Sequence, residues 1–189
     1  MDALELLIGD HNRVKGLFAR FNEAHEADDQ AAQRAVAERI FAELEVHTNV
    51  EETVFYPVVQ DLTDEIHDTV IEGLEEHRVA KELIAEAKTL DPSDEHWAAK
   101  VKVLTESVEH HVQEEESEMF PKIRTALDAD RRAALGTSID RKKGELGAPT
   151  IAATIDLTKT ELGELAKEQQ IPGRSKMSHD ELAMSVAPK

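Results

Sequence analysis

The sequence contains no cysteine. Disulfides, thiolate metal sites and cysteine nucleophiles are thereby excluded, and the chain has no need of an oxidising compartment. Aromatic residues are scarce, at 4%. Ala, Leu and Glu abound instead, a composition that favours helices over sheet. No run approaches the roughly 18 apolar residues that a membrane-spanning helix needs. The opening residues MDALELLIGDH lack the basic region and apolar stretch of a secretory signal. A cytoplasmic chain with no membrane partner is expected. P-loop, dinucleotide and Ser-His-Asp signatures are also missing, so those enzyme classes have no support.

Positive charge is scarce where negative charge is dense. Residues 1–125 carry 12 Lys+Arg against 30 Asp+Glu, whereas residues 126–189 carry 10 of each, so the whole net charge of -18 sits in the first part. That part should repel nucleic acid and anionic membranes, while the remainder is electrically permissive.

What the chain does have is helical periodicity. Four segments show it. In the first, about 2–25, Leu4, Leu7, His11, Val14, Phe18 and Phe21 form one stripe. In the second, about 30–56, the stripe is Val36, Ile40, Leu44, His47, Glu51, Val54 and Val58, and a stop is expected at Pro57. The third, about 62–89, carries Val70, Leu74, His77, Ala80 and Ile84. The fourth, about 93–125, opens at a Ser93 or Asp94 cap and carries Val101, Leu104, Val108, His111, Glu115 and Met119. Short connections between long helices predict an all-α, up-down-up-down four-helix bundle. A short helix over 129–145, a linker over 144–154, and two capped helices at about 159–169 and 179–187 make a small C-terminal helical appendage, the loop 171–177 between them extended. The expected division is therefore a bundle over 1–125, a helix and linker over 126–154, and a small module over 155–189.

The bundle is an internal repeat. His11-Asn12-Arg13-Val14-Lys15-Gly16-Leu17 parallels His77-Arg78-Val79-Ala80-Lys81-Glu82-Leu83, and HTNVEETVFYP from His47 parallels HVQEEESEMFP from His111, at offsets of 66 and 64 residues. Matching residues should face each other across a pseudo-two-fold core.

His11, His47, Glu51, His77, His111 and Glu115 stand on the stripes where Leu or Val belongs. An unpaired buried carboxylate costs several kcal/mol at least, so something must satisfy the set together. His-x-x-x-Glu places both side chains on one face, about 40° apart around the helix. Two converging glutamates can bridge two cations, and four neutral imidazoles can complete two sites with open positions. Nitrogen and carboxylate oxygen without sulfur suits iron, manganese or zinc. His110 with Glu114 is an alternative to His111, though the repeat aligns His111 with His47. Glu52 and Glu116 are expected to be solvated or to support the ligands. His25, His67, His96 and His179 fall outside the pattern and are expected at the surface.

These residues, with both EE-x-x-(aromatic or Met)-(aromatic)-Pro endings, resemble the hemerythrin-like HHE cation-binding family over about residues 1–125. The resemblance implies a non-haem centre of two iron ions per chain, with two glutamate bridges and an oxo or hydroxo bridge. Oxygen-carrying hemerythrins have a second histidine one turn before His77, where this chain has Gly73. They also have an aspartate five residues after the last histidine, where this chain has Glu115 at four. Fewer imidazoles point away from reversible oxygen carriage. They point towards catalase-like decomposition of peroxide, other reaction with dioxygen or nitric oxide, or sensing of these.

The stretch DLTKTELGELAKEQQIPGRSKMSHDELAMSV resembles the helix–extended loop–helix module of the Rho terminator's N-terminus and of SAP-type domains. That resemblance implies contact with nucleic acid, through Arg174 and Lys176, or with a protein partner. The segment has no aromatic residue on which a base could stack.

Overall fold

The computed structural model describes residues 1–148, 158–168, 171, 173–179, 182, 185 and 186. Each helix starts where a short acceptor side chain meets the free N–H groups of a first turn. Asp2 opens α1 (Ala3–Glu26), accepting from the Leu4 N–H at 2.9 Å. Asp29 opens α2 (Gln30–Val50), and Thr63 opens α3 (Asp64–Thr89). Asp94 is the cap of α4 (Glu95–Glu114), while Ser93 folds against Asp91. Asp128 opens α5 (Ala129–Glu145). Thr158 and Glu161 form a reciprocal capping box at α6 (Lys159–Glu168), with the Thr158 N–H donating to Glu161 at 2.7 Å.

The second helix does not stop at Pro57. Val50 leads into a π-helical turn, Glu51–Phe55, and the chain continues helically over Tyr56–Val59. The same happens after α4, through Glu115–Met119 into Phe120–Ala126. A proline cannot donate to the carbonyl four residues back and its ring crowds that carbonyl. The wider π turn removes this conflict, and it adds one residue to the local repeat. The buried stripe therefore shifts. It runs His47, Glu51, Phe55, Val59 in one half and His111, Glu115, Met119, Ile123 in the other. Val58, expected inside, is 50% exposed for this reason.

α1 packs on α2 and α3 on α4, as antiparallel pairs. Their apolar faces form two compartments. One joins Phe18, Ile40, Ile84, Trp97 and Leu104. The other joins Leu4, Leu7, Phe55, Ile66, Met119 and Ile123. The histidines and glutamates of the repeat lie in sequence between the two. α5 adds Leu135 and Ile139 to the second compartment. It comes so close to the N-terminus that a Cβ on Gly136 would lie 2.2 Å from the Met1 carbonyl oxygen, which explains a glycine there.

Leu162, Ala166, Ile171, Leu182 and Val186 make a small separate core. The loop after Ile171 is not wholly extended: Gly173, at φ 70°, leads into a 3-10 turn over Arg174–Lys176. Residues 149–157, most of the expected linker, and most of the expected 179–187 helix lie outside the described residues. Among the described residues, no helix is long and apolar enough to cross a membrane.

Candidate metal centre

The structure brings all six singled-out residues into one layer, none more than 5% exposed. α1 and α3 each supply one histidine. α2 and α4 each supply a histidine, and the π turn that follows supplies a glutamate. The π geometry sets Glu51 and Glu115 one turn below His47 and His111, aimed between the helices.

Each imidazole turns its Nδ1 outward to a carboxylate. His11 meets Glu116 at 2.9 Å, His77 meets Glu52 at 3.1 Å, and His111 meets Glu76 at 2.8 Å. His47 faces Asp10 at 3.6 Å. An ionised carboxylate only accepts, so in the neutral rings the protons of His11, His77 and His111 sit on Nδ1 and each Nε2 presents a lone pair. Those lone pairs converge. Nε2 of His77 lies 3.2 Å from Nε2 of His111. That is a hydrogen-bond length, but with both Nδ1 atoms donating outward the rings have no proton to share unless one is an imidazolium. His47 and His77 each place Nε2 3.2 Å from Glu51 Oε2, and His11 Nε2 lies 3.3 Å from Glu115 Oε2. Two ligands about 2.1 Å from one metal and about 100° apart lie about 3.2 Å from each other.

Two donor sets result. His11, His47, Glu51 and Glu115 offer ligand atoms within 4.8 Å of one another, and so do Glu51, His77 and His111. Glu51 belongs to both. Both Glu51 oxygens, Glu115 Oε2 and the Nε2 atoms of His11 and His47 are buried without a hydrogen-bond partner among the described residues. Orphaned buried groups of this kind carry a large desolvation penalty, and cations between them remove it. The donor chemistry thus fits a pair of N/O-ligated cations.

Protons can substitute for the cations in part. Burial alone would lower the affinity of His11 and His77 for protons. The hydrogen bonds and charges of Glu115 and Glu116, and of Glu51 and Glu52, outweigh it and raise both to about 9. Glu115 is likewise held well below the usual carboxylate range, because the His111 and His11 charges outweigh its burial.

The supporting shell follows the repeat. Lys15 reaches Glu116 at 3.1 Å, and Lys81 reaches Glu52 at 2.5 Å. His77 and Lys81 lower Glu52 to about 2. Asp10 and Glu76, each one residue before the α1 or α3 histidine, are the matching partners of His47 and His111. Asp10 is also bound by Arg13 and by Lys143 of α5, and their charges hold it well below its ordinary value despite burial. The fifth helix is thereby tied to a carboxylate that faces His47.

One residue breaks the symmetry. Tyr56 stacks on His77 at 5.6 Å, as Phe120 stacks on His11 at 5.9 Å. Only Tyr56 has a hydroxyl, and it donates to Glu115 Oε1 at 3.0 Å. Burial and the Glu115 and Glu51 charges push its own titration well upward. A Cβ on Gly73 would lie 2.9 Å from that hydroxyl and 3.2 Å from the His111 ring. The room left by the missing histidine is therefore filled by Tyr56. Sequence reasoning passed over Tyr56, Asp10, Glu76 and the two lysines. The signal was available in the repeat, which aligns Asp10 with Glu76, Lys15 with Lys81, and Tyr56 with Phe120.

His110, the alternative to His111, is 63% exposed, and lies 3.4 Å from Glu114 and 3.9 Å from Glu76. His25, His67 and His96 are exposed and His179 is half-buried.

Comparison with known proteins shows the family and the fold. Residues 2–123 match the family model of the hemerythrin HHE cation binding domain. A DNA nickase from Nostoc sp. is 30% identical over 151 residues, an alignment covering 77% of this chain and 40% of that protein. This chain thus spans well under half the length of that curated relative. The crystal structure of a hemerythrin HHE cation binding domain-containing protein from Mycobacterium kansasii superposes with a TM-score of 0.65 at 19% identity, covering 98% of this chain and 99% of that one. With a bundle, a buried His/Glu cluster and a family match over most of its length, the chain belongs to the hemerythrin HHE cation-binding domain family.

Proposed function

We propose that the chain is a non-haem di-iron protein whose carboxylate-bridged centre binds and turns over a small oxidant such as peroxide, dioxygen or nitric oxide. The observation that carries this reading is the convergence of histidine lone pairs and orphaned carboxylate oxygens on two donor sets that share Glu51. Iron would supply electron exchange with the oxidant. In this reading His11, His47, Glu51 and Glu115 hold one ion and Glu51, His77 and His111 the other. Glu116, Glu52, Glu76 and Asp10 fix the imidazole orientations. Tyr56 holds one Glu115 oxygen and keeps a proton beside the centre. Phe55, Phe120 and Met119, all buried, keep bulk water out from below.

The test is a preparation grown with iron. About two irons per chain, with visible bands that change on adding peroxide, are expected. Peroxide decay should be fast in wild type and lost in His111→Ala. A di-iron preparation that leaves peroxide untouched would restrict the protein to sensing or storage. The small C-terminal core, with exposed Arg174 and Lys176, would then be the contact to a partner.

The likeness to a DNA nickase favours a second reading, in which the metal centre cleaves a DNA strand. With -18 charges on residues 1–125, DNA would have to approach through residues 126–189. Supercoiled plasmid incubated with iron-loaded protein, metal-free protein and His111→Ala decides it. Nicks confined to the loaded wild type support DNA cleavage, and equal nicking in all three sinks it.

A further inference from the structure

The helices of this protein contain several hydroxyl side chains, and most have an obvious partner. Thr69, Thr105, Thr125, Thr137 and Ser138 each donate to the carbonyl four residues back. That is the default for a hydroxyl in a helix. Thr48 does not follow it. Its side chain is only 4% exposed, yet Oγ1 has no hydrogen-bond partner among the described residues.

Thr48 lines a cavity between α2, α3 and α4, whose lining also includes His47, His77 and His111, the apolar Ala80 and Val108, and the polar Glu76 and Ser107. For the centre of a water-sized sphere its volume is about 10 Å³, room for one water-sized group such as the terminal atom of a ligand. The cavity therefore connects three histidines of the metal layer to an unused donor. The repeat sharpens the point. The residue matching Thr48 is Val112, which is equally buried and has no hydroxyl. A polar group serving only the scaffold would be satisfied within it. One that stands unsatisfied in a cavity beside the centre, in one half only, is placed for something that enters.

We propose that the Thr48 hydroxyl is the hydrogen-bond donor to a diatomic or peroxide ligand bound at the face of the centre bounded by His47, His77 and His111. The assignment rests on the di-iron reading above and adds the residue that positions and discriminates the ligand. Apolar lining beside the buried Thr48 hydroxyl, with Ser107 the less buried hydroxyl of the same cavity, favours a small ligand with a terminal acceptor atom.

Nitric oxide on the ferrous, iron-loaded protein is the probe. Thr48→Val keeps the shape and removes the donor, and Thr48→Ser keeps the donor. Loss of one hydrogen bond should speed nitric oxide release by about tenfold in Thr48→Val, and should move the N–O stretching band. Thr48→Ser should stay near wild type in both. The metal-free Thr48→Val protein should melt no lower than wild type, because an orphaned hydroxyl is removed. If wild type and Thr48→Val share one release rate and one band, this inference falls and the di-iron reading stands. If iron-loaded wild type takes up no nitric oxide, this inference falls, and the di-iron reading falls with it only if peroxide is also left unbound. A metal-free Thr48→Val protein that melts well below wild type would show the hydroxyl to be structural, and would also overturn the assignment.

Discussion

Gly73→Ala puts one methyl group against the residue that distinguishes this centre. The new Cβ would lie 2.9 Å from the Tyr56 hydroxyl oxygen, 3.6 Å from its ring carbon Cζ and 3.2 Å from His111 Cε1. The first contact is too short, so Tyr56 must move. It is stacked on His77 and bonded to Glu115, and moving it gives up that hydrogen bond, about 1 kcal/mol, as well as costing about 1–3 kcal/mol of overpacking. Replacing a helical glycine by alanine returns about 0.5–1 kcal/mol. The net expectation is a loss of about 1–3 kcal/mol in the metal-free protein. In a Tyr56→Phe background the offending oxygen is absent and only the His111 contact remains. Gly73→Ala should then fall within about 1 kcal/mol of neutral. Urea unfolding of the four proteins, followed by circular dichroism, gives the coupling directly. A coupling of at least about 1 kcal/mol is expected, and effects that add within about 0.5 kcal/mol would refute the fit of Tyr56 into the space at Gly73.

Glu52→Gln and Glu116→Gln should each weaken metal binding by about 10–100-fold, because each orients one imidazole through Nδ1; competition with a chromophoric chelator reads this, and unchanged affinity counts against it. Lys143→Met removes a buried cation from Asp10 while keeping the side chain's length. A loss of about 2–4 kcal/mol is expected in chemical unfolding, at the low end because Arg13 still holds Asp10; a neutral result would mean that α5 is not tied to the centre through this pair. The metal-free protein should also lose stability in mild alkali. His11 and His77 bind protons up to about 9 when folded against an ordinary 6.5, so their contribution is complete below about 6.5 and is lost as pH rises through about 9. Thermal melts over that range should fall for the metal-free protein and stay level for the loaded one, whose ligating nitrogens hold no proton to lose; parallel curves would contradict the cation-for-proton exchange.

The fold was legible because each helix is long, strongly periodic and marked by a side-chain cap. The metal layer was legible because polar residues recur at buried positions in both halves of a repeat. Pro57 misled for a local reason. A proline normally ends an α-helix, but the π turns at Glu51 and Glu115 remove the clash, and nothing in single-residue propensity signals a five-residue turn. Val58 was misplaced by the same extra residue. Tyr56 escaped notice because its role depends on Gly73 of another helix, and such a pairing across helices becomes visible only once the helices are packed. The α5 link escaped for the same reason, since Lys143 and Asp10 lie 133 residues apart.

The central claim is that two cations share Glu51 between opposite histidine pairs. Anomalous diffraction at the iron edge from iron-loaded crystals tests it most directly. Two peaks are predicted, one among His11, His47, Glu51 and Glu115 and one among Glu51, His77 and His111. A single peak, or iron only at the surface group Glu76, His110 and Glu114, would contradict the account.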